Sequence, residues 1–266
     1  MATRLTHGPR RTSWVREPTT IPTATARRGR ARHRREPGSG LALAHRLAAA
    51  GAAVAMVARD GAALERAATA VREHGVPVLA LAADVADRTR TPALVAEVAA
   101  TLGPPSIVIH NASSLGTVPL PLLADTTPEV FDHTFAVNVL APFWLSRAVV
   151  GAMVLAGRGL LVHISSDAAV EAYPRWGAYG ASKAALDHLA RIWDAELAGT
   201  GVAAIAIDPG EMDTAMHADA IPDADRSSLA APADVAARIV ARVVQTLQHG
   251  RNGDVRTSAS AQEVAA

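Results

Sequence analysis

Tyr179 and Lys183 stand four residues apart at the start of a long apolar-periodic segment, so a helix places them on one face. Their axial separation is about 6 Å, near enough for an ammonium to act on a phenol. A free tyrosine, with a pKa of about 10, is a poor base at neutral pH, and a fixed cation beside it favours the phenolate. A lowering by about three units corresponds to about 4 kcal/mol. Ser166 lies thirteen residues before Tyr179, just past the apolar run Leu160-Leu-Val-His-Ile164. That run has the length of a buried strand, which puts Ser166 at its C-terminal end, where open α/β sheets bind ligands. Lys183 is the only lysine in a chain with 25 arginines, and Tyr179 is one of two tyrosines. A bias toward GC-rich codons explains why lysine is rare but not why the exception falls here.

The elements that must position these residues follow from the alternation of short apolar runs with helical segments. Strand-length runs are Ala52 to Val57, Val76 to Ala82, Ser106 to His110, Leu160 to Ile164 and Val202 to Asp208. Helical segments are Gly38 to Ala50, Gly61 to His74, Thr91 to Leu102, Pro128 to Ala156, the Tyr179 segment through Gly199, and Asp234 to Gln248. This alternation predicts an α/β fold, a doubly wound parallel sheet of Rossmann-like, three-layer form. Residues 115–128 are expected as a Pro-rich loop and 215–231 as a flexible substrate loop.

Composition narrows the chemistry. The 266 residues suit one α/β domain, and half of them are apolar with no run long enough to suggest a membrane span. With no cysteine, thiol catalysis, disulfides and cysteine-held metals are excluded; the ten histidines are scattered without metal-ligand spacing, so no metal is expected. The net charge of +1 conceals an asymmetry, because residues 1–37 hold ten Arg against Glu17 and Glu36. This basic segment has no apolar periodicity and the composition of disorder, of a nucleic-acid-binding arm or of a transit peptide.

Further candidates lie at the strand ends. Gly38 and Gly40 open a helix whose backbone N–H groups can face a pyrophosphate. Arg59, after the run ending at Val57, stands where Rossmann-like folds read the adenosine ribose, and an Arg there pairs with a 2′-phosphate. Asp60 beside it is the acid that would serve a 2′-OH instead. Asp84-Val85, Asn111-Ala-Ser113, Phe135-Ala-Val-Asn138 and Pro209-Gly210 through Thr214 follow in order. Asn138 is a mid-helix asparagine of mediocre propensity that needs a reason, either chemical or a structural bond.

Taken together, these motifs resemble those of the short-chain dehydrogenase/reductase family over residues 38 to about 248. The resemblance implies NAD(P)-dependent interconversion of an alcohol and a carbonyl, with NADP preferred over NAD because Ala58 replaces the usual acid and Arg59 follows it. It implies Tyr179 as general acid/base, Ser166 as hydrogen-bond donor to the substrate oxygen, and Lys183 as the cation that lowers the Tyr179 pKa and binds the nicotinamide ribose. Asn138 would support a proton-relaying water and Asn111 would brace the central strands. Gly38, Gly40, Arg59, Asp84, Val85, Pro209, Gly210 and Thr214 would contact the cofactor together with Tyr179 and Lys183. A small-molecule substrate, a homo-oligomer, a cytoplasmic location and no membrane or nucleic-acid partner are the accompanying expectations.

The departures are His110 and Ser113, where the family usually has Asn and Gly, a weak polar version of the last strand after Gly250, and the N-terminus. Arg34 stands at the first-glycine position, and Arg27-Arg-Gly-Arg-Ala-Arg-His33 cannot make the first strand that should precede it. Codons compatible with Arg32 to Gly38, read one base later, encode Val-Thr-Gly-Ala-Ser-Arg-Gly, the family's usual loop. The expected organisation is therefore a basic, disordered or frameshifted segment (1–37), a dehydrogenase domain (38–248) and a tail (249–266), with the first strand missing or degenerate. Two rival readings follow from that N-terminus: an inactive remnant or binding protein of the same fold, and a nucleic-acid binder acting through the basic arm.

Overall fold

The computed structural model describes residues 19–22 and 38–251. Six parallel strands form one sheet in the order β3-β2-β1-β4-β5-β6. They are β1 (Thr19–Pro22), β2 (Ala53–Ala58), β3 (Val78–Ala82), β4 (Ile107–His110), β5 (Gly159–Ile164) and β6 (Val202–Ile207). All residues of β4 and β5 are buried, as expected for strands covered on both faces. The helices are α1 (Ser39–Ala49), α2 (Gly61–Arg72), α3 (Thr91–Leu102), α4 (Pro128–Phe135), α5 (Ala141–Ala156), α6 (Gly177–Glu196), α7 (Ala215–Ala220) and α8 (Pro232–Arg251).

Side chains alternate along each strand, so the sheet has two apolar faces. Val54, Met56, Ile107, Ile109, Leu160 and Val162 pack with Leu43 and Leu47 of α1, Leu64 and Val71 of α2, and Val235 and Ile239 of α8. On the other face Val57, Val108 and Leu161 pack with Val98 of α3, with Leu145, Val149 and Met153 of α5, and with Trp193 of α6. This is the doubly wound, three-layer arrangement expected from the sequence.

The first strand is a correction. The central place between β2 and β4 is taken by β1, with Thr20 opposite Val54 on one side and Ile107 on the other. β-Branched Thr19, Thr20 and Ile21 suit an extended backbone. Pro22 stands at the strand's end, where a missing N–H is tolerated. The strand lies before the Arg-rich stretch instead of within it. Two threonines interrupt any apolar run there, so the segment carries no local strand signal. The disorder, frameshift and nucleic-acid-arm readings fall on residues 1–18 and 23–37, and Arg34 among them; these lie outside the described residues, as does the tail beyond Arg251.

Two other expectations are refined. The segment 128–156 is one continuous helical run, but Ala136–Leu140 is wound as π-helix between α4 and α5. That run is long and apolar enough by length and composition to cross a membrane, while Leu145, Val149 and Met153 set it against the sheet as a core helix. The expected loop at 215–231 contains α7 and a 3-10 turn at Arg226–Ser228, and Met212 bridges Ala230 at its base.

Candidate active site

The candidate residues collect along the C-terminal edge of the sheet. Ser166 follows β5 by two residues with an extended backbone (φ −166°, ψ 153°). Tyr179 and Lys183 occupy the first two turns of α6 on its buried face and are 8% and 2% exposed. The Tyr179 phenol hydrogen-bonds with Ser166 and with Ser113. Lys183 Nζ donates to the Ile164 carbonyl at 2.7 Å and lies 5.5 Å from the centre of the Tyr179 ring. Gly180, one residue after Tyr179, brings the helix close to Ala168: a Cβ there would stand 2.8 Å from the Ala168 carbonyl oxygen.

The electrostatics of this pair differ from the expectation. The Tyr179 pKa is pushed up to about 12. Burial is the main cause, Asp208 and Asp167 add to it, and the hydrogen bonds with Ser166 and Ser113 oppose it. Lys183 Nζ is bonded to the Ile164 carbonyl beside the ring and is not among the groups that shift the phenol. Burial also pushes Lys183 down to about 8, against the pull of Asp187 and Asp208. The phenol is therefore held firmly protonated at neutral pH, and the ammonium is the more readily deprotonated of the two.

Ser166 Oγ donates to Asp167 Oδ1 at 2.9 Å and accepts from the Ala168 N–H, so its hydroxyl is positioned from both sides. Asp167 also accepts from the Tyr173 hydroxyl at 2.9 Å. Asn138 lies in the π-helical stretch, fully buried. Its Oδ1 accepts from Ser114 N at 2.7 Å and Ser113 Oγ at 3.3 Å. Its Nδ2 donates to Ser114 O at 3.0 Å and Ser182 Oγ at 2.8 Å. The amide thus ties the loop after β4 to α6, which is the structural alternative for this residue; all four of its side-chain positions are engaged.

The expected cofactor residues line the same edge. Gly38 precedes α1 without a side-chain cap, leaving the first N–H groups of the helix open to an anion, and Gly40 is buried in its first turn. Ser39 Oγ donates to Asn111 Oδ1 at 3.0 Å, which braces the start of α1 against the end of β4. Arg59 is exposed at the end of β2, and Asp60 beside it is used as the N-cap of α2, accepting from Ala63 N at 2.9 Å. Asp84 and Val85, after β3, line a small cleft with His110, Ala112, Val137 and Leu145. Tyr179 and Ser166 do not line that cleft. Pro209 and Gly210 follow β6; Gly210 takes φ 71° and its N–H donates to Asp208 at 2.9 Å. Thr214 caps α7 through His217 N. An uncapped helix end and an arginine at the ribose position fit a phosphorylated dinucleotide.

Several participants were not singled out from sequence. Ser113 links Tyr179 to Asn138, and its only signal was its departure from the usual glycine. Asp167 and Asp208 surround the phenol with negative charge. His110 and His163 stack at 4.7 Å between ring centroids on paired strand ends, both buried. Leu115, Leu120, Trp176 and Met216 form the apolar wall around Tyr179.

The family profile described as short chain dehydrogenase matches residues 36–225. An NADPH-dependent aldehyde reductase-like chloroplastic protein of Arabidopsis thaliana is 38% identical over 99 residues, 37% of this chain and 37% of that protein. The match to that plant relative thus spans little more than a third of its length. The 2-(R)-hydroxypropyl-CoM dehydrogenase of Xanthobacter autotrophicus is 36% identical over 180 residues, 67% of this chain and 72% of that enzyme. A short chain dehydrogenase of Escherichia coli CFT073 solved with NADPH superposes with a TM-score of 0.73 at 27% identity, covering 84% of this chain and 89% of its own.

Proposed function

Because the chain belongs to the short-chain dehydrogenase family, we propose that it is an NAD(P)-dependent oxidoreductase interconverting an alcohol and a carbonyl, with NADP preferred. The observation that carries the reading is the buried Tyr179 phenol, hydrogen-bonded with Ser166 and flanked by Lys183. A phenol kept protonated is a proton donor, the form that carbonyl reduction uses.

In this reading the nicotinamide supplies the hydride when bound. Tyr179 gives its Oη proton to the substrate oxygen, and Ser166 turns its own proton from Asp167 to the same oxygen as charge develops there. Lys183 holds the nicotinamide ribose and is the proton reservoir behind Tyr179. Asn138 fixes Ser113 and the loop that carries it. The N–H groups at Gly38 and Gly40 hold the pyrophosphate, Arg59 the 2′-phosphate, Asp84 and Val85 the adenine, and Pro209, Gly210 and Thr214 the nicotinamide end. Asp60, engaged as a helix cap, leaves Arg59 as the group that reads the ribose, which favours NADP.

The substrate end is apolar at Leu115, Leu120, Trp176 and Met216 and negative at Asp167 and Asp208. This favours an uncharged aliphatic or aromatic carbonyl over an anionic one. Exposed Leu140, Val154, Leu155 and Ile192 on the outer side of the helices offer apolar surface for a homo-oligomer.

The test is titration of the protein with NADPH and NADH by nicotinamide fluorescence, followed by reduction of a panel of aldehydes and ketones. Tyr179→Phe should retain cofactor binding and lose about 10²- to 10⁴-fold in reduction rate. Failure of both cofactors to bind, or full turnover by Tyr179→Phe, refutes the reading.

A further inference from the structure

The apolar wall beside Tyr179 does not stop at its buried residues. Leu120, Ala168 and the Tyr179 ring form its core, with Trp176, Met216 and Ala220 packed against them. These residues come from three segments, 120–123, 168–176 and 216–221, and each segment also carries large apolar side chains left in solvent. Leu122 and Leu123 are 48% and 60% exposed, Val170 and Tyr173 are 71% and 44% exposed, and Ile221 is 37% exposed. Leu123 leans on the start of α6, where a Cβ at Gly177 would meet its side chain. Apolar surface gathered in this way marks a place where something binds.

Aromatic rings make the path from the phenol to this surface continuous. Trp176 lies 5.6 Å from Tyr179 and Tyr173 lies 6.4 Å from Trp176, centroid to centroid, each pair edge to face. The segments are also tied in place. Tyr173 Oη donates to Asp167 Oδ2 at 2.9 Å, beside Ser166, and Arg175 Nη1 donates to the Leu120 carbonyl at 3.3 Å. Arg175 takes φ 73°, a left-handed conformation that a non-glycine residue keeps only where its surroundings hold it.

Resting on the dehydrogenase reading, we propose that the substrate is a large uncharged aldehyde or ketone with an extended apolar body, and that the exposed rim is the subsite for that body. The carbonyl oxygen meets Tyr179 and Ser166, the chain passes Trp176 and Leu120, and the far end covers Leu123, Val170 and Tyr173.

The charge around the rim and its size select this occupant over a membrane or a second copy of the chain. Asp167, Glu171 and Glu211 face the Tyr173 hydroxyl. The arginines nearby are engaged, Arg175 with Leu120 and Arg226 with Asp213. Membrane-binding surfaces are basic because lipid headgroups are anionic, so an acidic rim is unsuited to one. It is equally unsuited to a substrate whose tail ends in a carboxylate or phosphate. The five exposed side chains offer a few hundred Å², short of the ~800 Å² per partner that a stable protein interface buries. The apolar part of one small molecule is of the right scale.

The test is reduction of straight-chain aldehydes and methyl ketones, from butanal and butanone to decanal and decanone, with NADPH. Each added methylene should raise kcat/KM about two- to fourfold, as burial of one CH₂ implies. The octanal analogue ending in a carboxylate should fall about tenfold or more below octanal. Leu123→Ser combined with Val170→Ser should flatten the dependence on chain length and leave NADPH binding unchanged. Val170→Ser alone, at the most exposed of the five positions, carries the test if the pair does not fold. A kcat/KM independent of chain length, or an unchanged slope in the variants, overturns the proposal. So does cosedimentation with phosphatidylcholine vesicles, or self-association, that Val170→Ser abolishes, because the rim then belongs to lipid or to a second copy. A chain that binds NADPH but reduces no member of the series overturns this substrate class alone. Failure to bind either cofactor overturns the dehydrogenase reading, and the proposal with it.

Discussion

Lys183 should make the folded chain more stable as the pH rises toward 10. Its ordinary pKa of 10.5 is pushed to about 8 in the folded protein, chiefly by burial. Between these values the unfolded chain keeps the proton and the folded chain has lost it, so stability increases with pH. Below about pH 8 the ammonium must be carried into the interior charged. The difference of about 2.5 units corresponds to about 3 kcal/mol of destabilisation at neutral pH. Linkage over that interval gives a gain of about 2 kcal/mol between pH 7 and pH 9.5. Lys183→Met removes the titrating group while keeping most of its volume. Urea unfolding of both proteins at pH 7 and pH 9.5, followed by circular dichroism, isolates the effect as the change in their stability difference. Tyr179 does not interfere below pH 10: its pKa is raised from 10.0 to about 12, so its contribution is fully present below 10 and is lost only on rising through 12. A difference that is flat to within about 0.5 kcal/mol, or that moves against the wild-type chain as pH rises, would refute the claim that burial governs Lys183.

Arg59→Ala should weaken NADPH binding about 10- to 100-fold, as loss of a charged hydrogen bond to phosphate implies, and leave NADH binding unchanged in parallel fluorescence titrations. Equal weakening of both would remove Arg59 from cofactor selection. Gly201→Ala should destabilise by about 2–5 kcal/mol in urea unfolding. Gly201 has φ 81°, and a Cβ there would lie against the Gly157 carbonyl oxygen; an unchanged midpoint would mean that this loop can move aside. Deleting residues 1–22 removes the strand between β2 and β4 and leaves ladder groups on both without partners. At about 1–3 kcal/mol for each buried orphan, against a net stability of about 5–15 kcal/mol, the truncated chain should show no cooperative thermal transition. A sharp transition near that of the full chain would show that β1 is dispensable.

The parts of this fold legible in the sequence are those whose signal is local. The continuous apolar runs of β2, β5 and β6 announce buried parallel strands, and α3 falls at Thr91–Leu102 as its periodicity predicts. The Tyr179–Lys183 spacing is equally local, and Ser166 is placed by the strand before it. β1 was missed because its four residues carry no apolar run, and its identity as a strand depends on the two neighbours that pair with it. The π-helical winding at Ala136–Leu140 has no signature in a helix-period pattern. The partners of Asn138 lie 24 and 44 residues away, so its role appears only when the loop after β4 and α6 are brought together. Asp60 was legible as an acid at the ribose position, but not its engagement as a helix cap.

The protonation of Tyr179 shows most clearly what spacing leaves undecided. Four residues of separation predict a cation that acts on the phenol; the direction of the net effect depends on how much water each group has lost. Here both groups are buried, and desolvation moves them oppositely, the phenol up to about 12 and the ammonium down to about 8. A phenolate formed by proton donation would be reprotonated by the Lys183 ammonium, because burial raises the phenol and lowers the ammonium. Recharging Tyr179 is then downhill. Lys183 is 2% exposed, so its charge is set by its buried surroundings and not by direct contact with solvent.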